Sequence, residues 1–273
     1  MTMKPSQVLL LKTLSSTLFI LASALAFASG PYTDVGIDKD DPRIVGWAVE
    51  VTSLIRGPQS IANPTGPLAN FGTAANALGP AEGTSFDVVS LGDGGSITLT
   101  FDLAITDGPG TDFAVFENGF LSGGGVLAEL AHVEVSSNGI DFVRFPSVSL
   151  TQTDTQVGGF GVLDPTNIYN LAGKHVAGRG TEFDLSEVAG LSPLVDVSFI
   201  THVRIVDVVG SIDPQYASYD SRGVAINDPW PTPFGSSGFD LDAVAVMNAV
   251  PEPGTVIVLS AGLWLLARRR RRA

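Results

Sequence analysis

From residue 86 onward the chain is written in short runs of period-two alternation, each closed by glycine or proline. Residues 96–102 set Ile97, Leu99 and Phe101 on one side and Thr98 and Thr100 on the other. That is the spacing of a half-buried strand. Residues 86–90 form a shorter run, and 112–117 is apolar on both faces, as a central strand would be. In 129–137, Ala131, Val133 and Val135 alternate with His132, Glu134 and Ser136. Asn138-Gly139 is a tight-turn dipeptide, which makes 142–145 the returning arm of a hairpin. Further strands are expected at 202–209 and 240–247, the last alternating Leu241, Ala243, Ala245 and Met247 against Asp242, Val244 and Val246. Between them lie the Gly-, Pro- and Asn-rich stretches 56–83, 151–180 and 211–239, which read as irregular connections. Helix is scarce. Asp41-Pro42 looks like an N-cap with proline at the first helical position, and Ile44, Val45, Ala48 and Leu54 suggest a short helix over 42–53. The alternation of Trp47, Val49 and Val51 allows a strand there instead. A second short helix or turn is expected at 183–189. The expected fold is an all-β sandwich, with a jelly roll favoured because long connections occur where strands cross between sheets.

Both ends of the 273-residue chain are of a different kind. Lys4 and Lys12 precede the apolar run 14–27, and Ala26-Phe27-Ala28 is a small-x-small cleavage site. Residues 1–28 therefore read as a secretory signal helix removed by signal peptidase. Ala24-Leu25-Ala26 is an alternative cleavage site, and an uncleaved anchor is the other reading. Residues 29–249 form one domain, and 250–273 form a tail. In the tail Pro251, Glu252 and Pro253 precede the apolar segment 255–267, followed by Arg268, Arg269, Arg270, Arg271 and Arg272. Thirteen residues of helix span about 20 Å at ~1.5 Å each, short of the ~30 Å bilayer core. The arginines favour the cytoplasmic side and their long side chains snorkel to headgroups. The prolines keep the helix from running back into the domain.

These three features in order resemble the PEP-CTERM sorting signal of Gram-negative bacteria. The resemblance implies recognition by an exosortase, a membrane-embedded cysteine transpeptidase. It also implies transient anchoring in the inner membrane, then release or transfer to the outer surface. An ordinary C-terminal anchor is the plainer alternative.

With both ends set aside, eight Lys and Arg face 27 Asp and Glu, a net charge near −19 against −13 for the whole chain. Nucleic acid is a poor partner for such a surface, and none is expected. It suits divalent cations or serves solubility alone. There is no cysteine, which excludes disulfides, thiol catalysis and thiolate zinc sites.

Four stretches carry a second resemblance: 90–102 (SLGDGGSITLTFD), 112–118 (DFAVFEN), 134–139 (EVSSNG) and 238–244 (GFDLDAV). Together they look like a jelly-roll domain of bacterial cell-surface proteins, similar in pattern to galactose-binding-like carbohydrate modules. The resemblance implies a fold and a surface location, and leaves the ligand open.

For a metal, Asp107 and Asp112 flank Gly108-Pro109-Gly110, a turn that lets backbone carbonyls approach a calcium ion. Asp240 and Asp242 share a face if they lie on one strand. Four carboxylates converge if the two segments are neighbours. The plainer reading is turn chemistry. For a sugar, Tyr216, Tyr219, Trp230 and Phe234 lie in one loop and offer stacking faces, or else form that loop's own small core. Catalytic signals are thin. Gly235-Ser236-Ser237-Gly238 is not a nucleophile elbow, and His132, His175 and His202 lie in separate segments without metal-ligand spacing. The expectation is a non-catalytic exported protein that binds exopolysaccharide or matrix, with calcium as a candidate ion. The alternative is a secreted polysaccharide hydrolase using two of the many carboxylates.

Overall fold

The structure, a computed structural model, describes residues 30–250. The expected signal peptide and the sorting residues Pro251–Pro253 and Arg268–Arg272 lie outside the described residues. Strands follow in the order β1 (Ile37–Asp38), β2 (Gly46–Ile55), β3 (Val89–Ser90), β4 (Ser96–Ile105), β5 (Phe113–Glu117), β6 (Phe120–Ser122) and β7 (Gly125–Leu127). They continue with β8 (Ala131–Ser136), β9 (Val143–Arg144), β10 (Val148–Ser149), β11 (Ile168–Tyr169), β12 (Arg179–Phe183), β13 (Ile200–Asp207) and β14 (Asp240–Val246). Helical structure among the described residues is confined to 3-10 turns at Ala74–Ala77, Pro165–Asn167 and Leu185–Glu187. No helix among them is long and apolar enough to cross a membrane.

Ten strands join in one antiparallel sheet, in the order β1-β12-β5-β14-β2-β4-β13-β8-β9, with β3 beside the start of β14. The strand β2 turns the corner. Its first residues, Gly46 and Trp47, pair with β14, while Ala48 onward pairs with β4 through two register shifts. The sheet therefore curls, and its two halves share one core. Phe113, Val115, Phe183, Leu241 and Val244 enter it from one half, and Ile97, Leu99, Val133, Val135, Val203 and Ile205 from the other. Phe113 stacks on Phe183 at 5.2 Å between ring centroids, and Phe145 meets both edge-on. Each such ring, fully buried, contributes about 2 kcal/mol.

The helical reading of 42–53 is corrected: Gly46–Ile55 is a strand. β-Branched Val49, Val51, Thr52 and Ile55 favour the pleated backbone. The two bulges distort the alternation, which is why the spacing looked partly helical. The hairpin at Asn138-Gly139 is present. Gly139 has φ +74°, the Asn138 side chain accepts from the N–H groups of Ile140 and Asp141, and Val143–Arg144 returns along β8.

The doubly apolar strand β5 is covered on both sides. Phe113 and Val115 face the main core, while Ala114 and Phe116 join a second cluster with Ile37, Ala243 and Ala245. The alternation expected along 240–247 changes phase at a register shift between Leu241 and Ala243. Leu241 accordingly shares the main core with Val244 and Val246 rather than with Ala243 and Ala245.

Candidate functional site

The antiparallel pairing of β5 with β14 decides where the acidic residues go. Phe113 lies opposite Val246, and Glu117 lies opposite Leu241. Asp112 and Asp240 thus stand at opposite ends of this strand pair, roughly 20 Å apart at ~3.4 Å per residue. The four-carboxylate convergence of Asp107, Asp112, Asp240 and Asp242 does not form.

At one end, Asp107 and Asp112 are joined by Asp184, with one oxygen of each within 4.8 Å of the others. Asp112 is fully buried. Its Oδ1 accepts from the N–H of Gly108 and from Asn248 Nδ2, both at 2.8 Å, and its Oδ2 accepts from the N–H of Leu185 at 2.7 Å. Asp184 caps the following 3-10 turn through the N–H of Ser186. A cation held by Asp107, Asp112 and Asp184 would compete with these bonds. As it stands, Asp112 staples three loop segments together.

At the other end the chain opens into a pocket of about 270 Å³. Asp240, the first residue of β14, lies in its wall with Asn118 and Glu129. Ser90 Oγ and Asn118 Nδ2 both donate to the Asp240 carboxylate, the latter at 2.9 Å. Beside them Glu117 is buried and accepts from the N–H of Gly119 at 2.6 Å. Asp242 is not part of the wall. It accepts from the N–H groups of Glu82 and Gly83 and holds that loop to the sheet.

These carboxyls crowd one another. Burial pushes Asp240 up to about 6, against the hydrogen bonds of Ser90 and Asn118 and the charge of Arg56, which pull it down. Burial, then the charges of Asp240 and Glu117, push Glu129 well above the usual carboxylate range. Burial and the Asp240 charge do the same to Glu117. Arg56 stands behind the wall and donates to the carbonyls of Phe71, Ser90 and Gly72. Among the described residues no lysine, arginine or histidine lines the pocket.

The rim is aromatic. Phe120 begins β6, Phe160 comes from the loop between β10 and β11, Phe234 from the loop before β14, and Phe86 from the approach to β3. Phe86 is 81% exposed and Phe160 76%. Phe160 and Phe234 lie 5.9 Å apart between centroids. Burying such rings only on binding a ligand would recover apolar area left in water here.

Of the aromatic residues expected to bind sugar, only Phe234 reaches this rim. Trp230 and Tyr216 pack on each other at 6.0 Å, and Trp230 Nε1 donates to Asp93 at 2.9 Å. Tyr219 is exposed nearby, where an isolated bridge pairs it with Ala225. Trp230 and Tyr216 thus serve their loop's own packing. The sequence reading missed Glu117, Glu129 and Asn118. Their signal was an acid at the end of an apolar run, Phe113–Glu117, and a lone acid among Leu127, Ala128, Leu130 and Ala131. His132 is buried and held down to about 3 by burial and the Arg144 charge, so it is a neutral core group.

No family model matches the chain, and no curated protein matches it.

Proposed function

We propose that this is an exported surface protein whose jelly-roll domain binds a polysaccharide of the cell surface or matrix through the pocket around Asp240. The observation that carries the reading is the ring of exposed phenylalanines above a polar wall of Asn118, Glu129 and Asp240. Small-molecule sites pair apolar lining with a few convergent polar groups, and flat aromatic faces suit the C–H faces of sugar rings. The export part of the reading is supported by the N-terminal apolar run with its Ala-x-Ala site and by the Pro-Glu-Pro, apolar and arginine order of the tail. Strands that pass repeatedly between the two halves of a curled antiparallel sheet support the jelly-roll part.

The test is co-sedimentation of the purified protein with polysaccharide from the producing cells, in calcium and in chelator. Binding that persists in chelator and is weakened about tenfold in Phe160→Ala is expected. Absence of binding in both conditions would sink the reading.

A second reading, hydrolysis of the bound glycan, is favoured by two carboxyls, Asp240 and Glu129, lining one pocket. Burial raises both, Asp240 to about 6 and Glu129 well above the usual carboxylate range, and a carboxyl that keeps its proton is what the acid of such a pair needs. Release of reducing ends from the same polysaccharide, absent in Glu129→Gln, would establish it.

A further inference from the structure

We propose that the pocket selects an unacetylated amino sugar, with the sugar's ammonium group against Glu129 and Asp240 and its ring against the phenylalanine rim. The inference rests on the glycan-binding reading and names its ligand.

The argument begins with the sign of the pocket. Among the described residues two carboxyls line it and no basic side chain does. Arg56, the cation that acts on Asp240, is spent on three backbone carbonyls behind the wall. A uronic acid would bring a further negative charge beside Asp240, at a domain whose net charge is near −19, with no cation among the described residues to meet it. An ammonium group reverses that relation.

The donors and acceptors agree. Asp240 already accepts from Ser90 and Asn118. Among the described residues no protein group hydrogen-bonds the Glu129 carboxyl, although it reaches the pocket. A partly buried carboxyl without a partner calls for a donor, and an ammonium supplies three N–H groups. The rim adds to this, because a cation close to a phenylalanine face is attracted by the ring quadrupole. A bare metal ion fits less well. Calcium needs six to eight oxygens, whereas the described carboxylates that converge as a group are Asp107, Asp112 and Asp184, at the other end of β5.

The experiment is calorimetric titration of the full chain, purified in detergent, at physiological salt and in chelator. Three probes are used: a short glucosamine oligomer, its N-acetylated counterpart and a galacturonic acid oligomer. The expected result is a preference of about tenfold or more, ~1.4 kcal/mol, for the glucosamine oligomer over the acetylated one, with no binding of the acidic one. Glu129→Gln should remove that preference. The substitution deletes no protein hydrogen bond, so folding is not at stake. Asp240→Asn should do the same, with melting as a control. Asp40→Asn, at an exposed acid beside β1, should leave the preference intact and so excludes attraction to bulk negative charge.

Equal binding of acetylated or acidic oligomers would overturn the ligand assignment while leaving glycan binding in place. So would a preference that survives both pocket substitutions, or one that appears only when calcium replaces chelator. No binding of any oligomer would remove the assignment and the glycan-binding reading together.

Discussion

Two acidic clusters sit at the two ends of the same strand pair, and they do opposite things. At the Asp112 end every oxygen of the buried carboxylate is taken by an N–H donor from this chain. At the Asp240 end the carboxyls face one another, Glu129 has no such donor among the described residues, and the wall opens to solvent beneath exposed phenylalanines. The first arrangement is closed and stabilises loops. The second keeps unmet electrostatic and apolar demand, which is what a binding site needs. Counting carboxylates does not separate the two; asking where their hydrogen bonds go does.

The largest effect expected from breaking this contrast is at Asp112. Asp112→Ala leaves the N–H groups of Gly108 and Leu185 without their acceptor, and buried donors left unmet cost about 1–3 kcal/mol each. A loss of about 3 kcal/mol in denaturant unfolding is expected, with glycan affinity unchanged. A mild loss of stability with abolished binding would show that the ligand site lies at this end instead.

pH sharpens the contrast next. Glu117, Glu129, Asp207, Asp228 and Asp240 all hold their protons more tightly when folded. Their ordinary values lie near 4. The unfolded chain therefore releases these protons first as pH rises. The stability they contribute is complete below pH ~4 and is lost as pH climbs through the folded values, a window that for Asp240 ends near 6. Other groups run the other way, His132 and Asp34 among them. His132, held at about 3, destabilises the fold as pH falls below its ordinary 6.5. Asp34 is raised by burial but carried down to about 2 by its bonds to His175 and Lys174, and its contribution is lost only below pH ~4. The melting temperature should accordingly be higher at pH 5.5 than at pH 8. In Glu117→Gln the difference should shrink. A melting temperature that rises steadily to pH 8 would mean that the pocket carboxyls are not crowded.

Much of this fold was legible in the sequence, for a physical reason. Runs such as Ser96–Ile105 and the hairpin at Asn138-Gly139 are local, so period and turn chemistry suffice. Bulges defeated the same reasoning in two places. In β2 they blurred alternation into something helical, and in β14 the shift after Leu241 changed which residues share a face. The site was half legible. Asp240 stood out in a Gly-Phe-Asp-Leu-Asp run, but its partners Glu117, Asn118 and Glu129 come from other segments, and only strand pairing brings them near. Proximity in sequence suggested Asp107 and Asp112, which register places at the far end. The four stretches that carried the surface-domain resemblance nonetheless include Ser90, Asp93, Glu117, Asn118 and Asp240, so three of them meet around this wall or its supports.

A smaller effect is expected at Trp230, one of the aromatic candidates in the sequence. Trp230→Phe keeps the contact with Tyr216 in outline but removes the donor to Asp93. A hydrogen bond to a charged group is worth about 1.5–3 kcal/mol, and Asp93 keeps a second donor, the N–H of Ile61 at 2.8 Å. A loss of about 1.5 kcal/mol is expected, with glycan affinity retained. Affinity lost without a change in melting would return Trp230 to the ligand site.

The smallest effect on stability is expected where the largest effect on binding is. Phe160 is three-quarters exposed and its contact of note is with Phe234, itself on the rim. Phe160→Ala uncovers no core, so unfolding should shift by less than about 0.5 kcal/mol, as for other surface changes. If the ring serves the ligand, the same change should weaken glycan binding about tenfold, since aromatic anchors at a rim are worth more to a complex than to the free fold. A residue that matters little to folding yet is decisive for binding separates an open cluster from a closed one. Asp112→Ala and Phe160→Ala measured side by side, each for stability and for affinity, should therefore give opposite patterns if the two ends of β5 differ as their hydrogen bonds say.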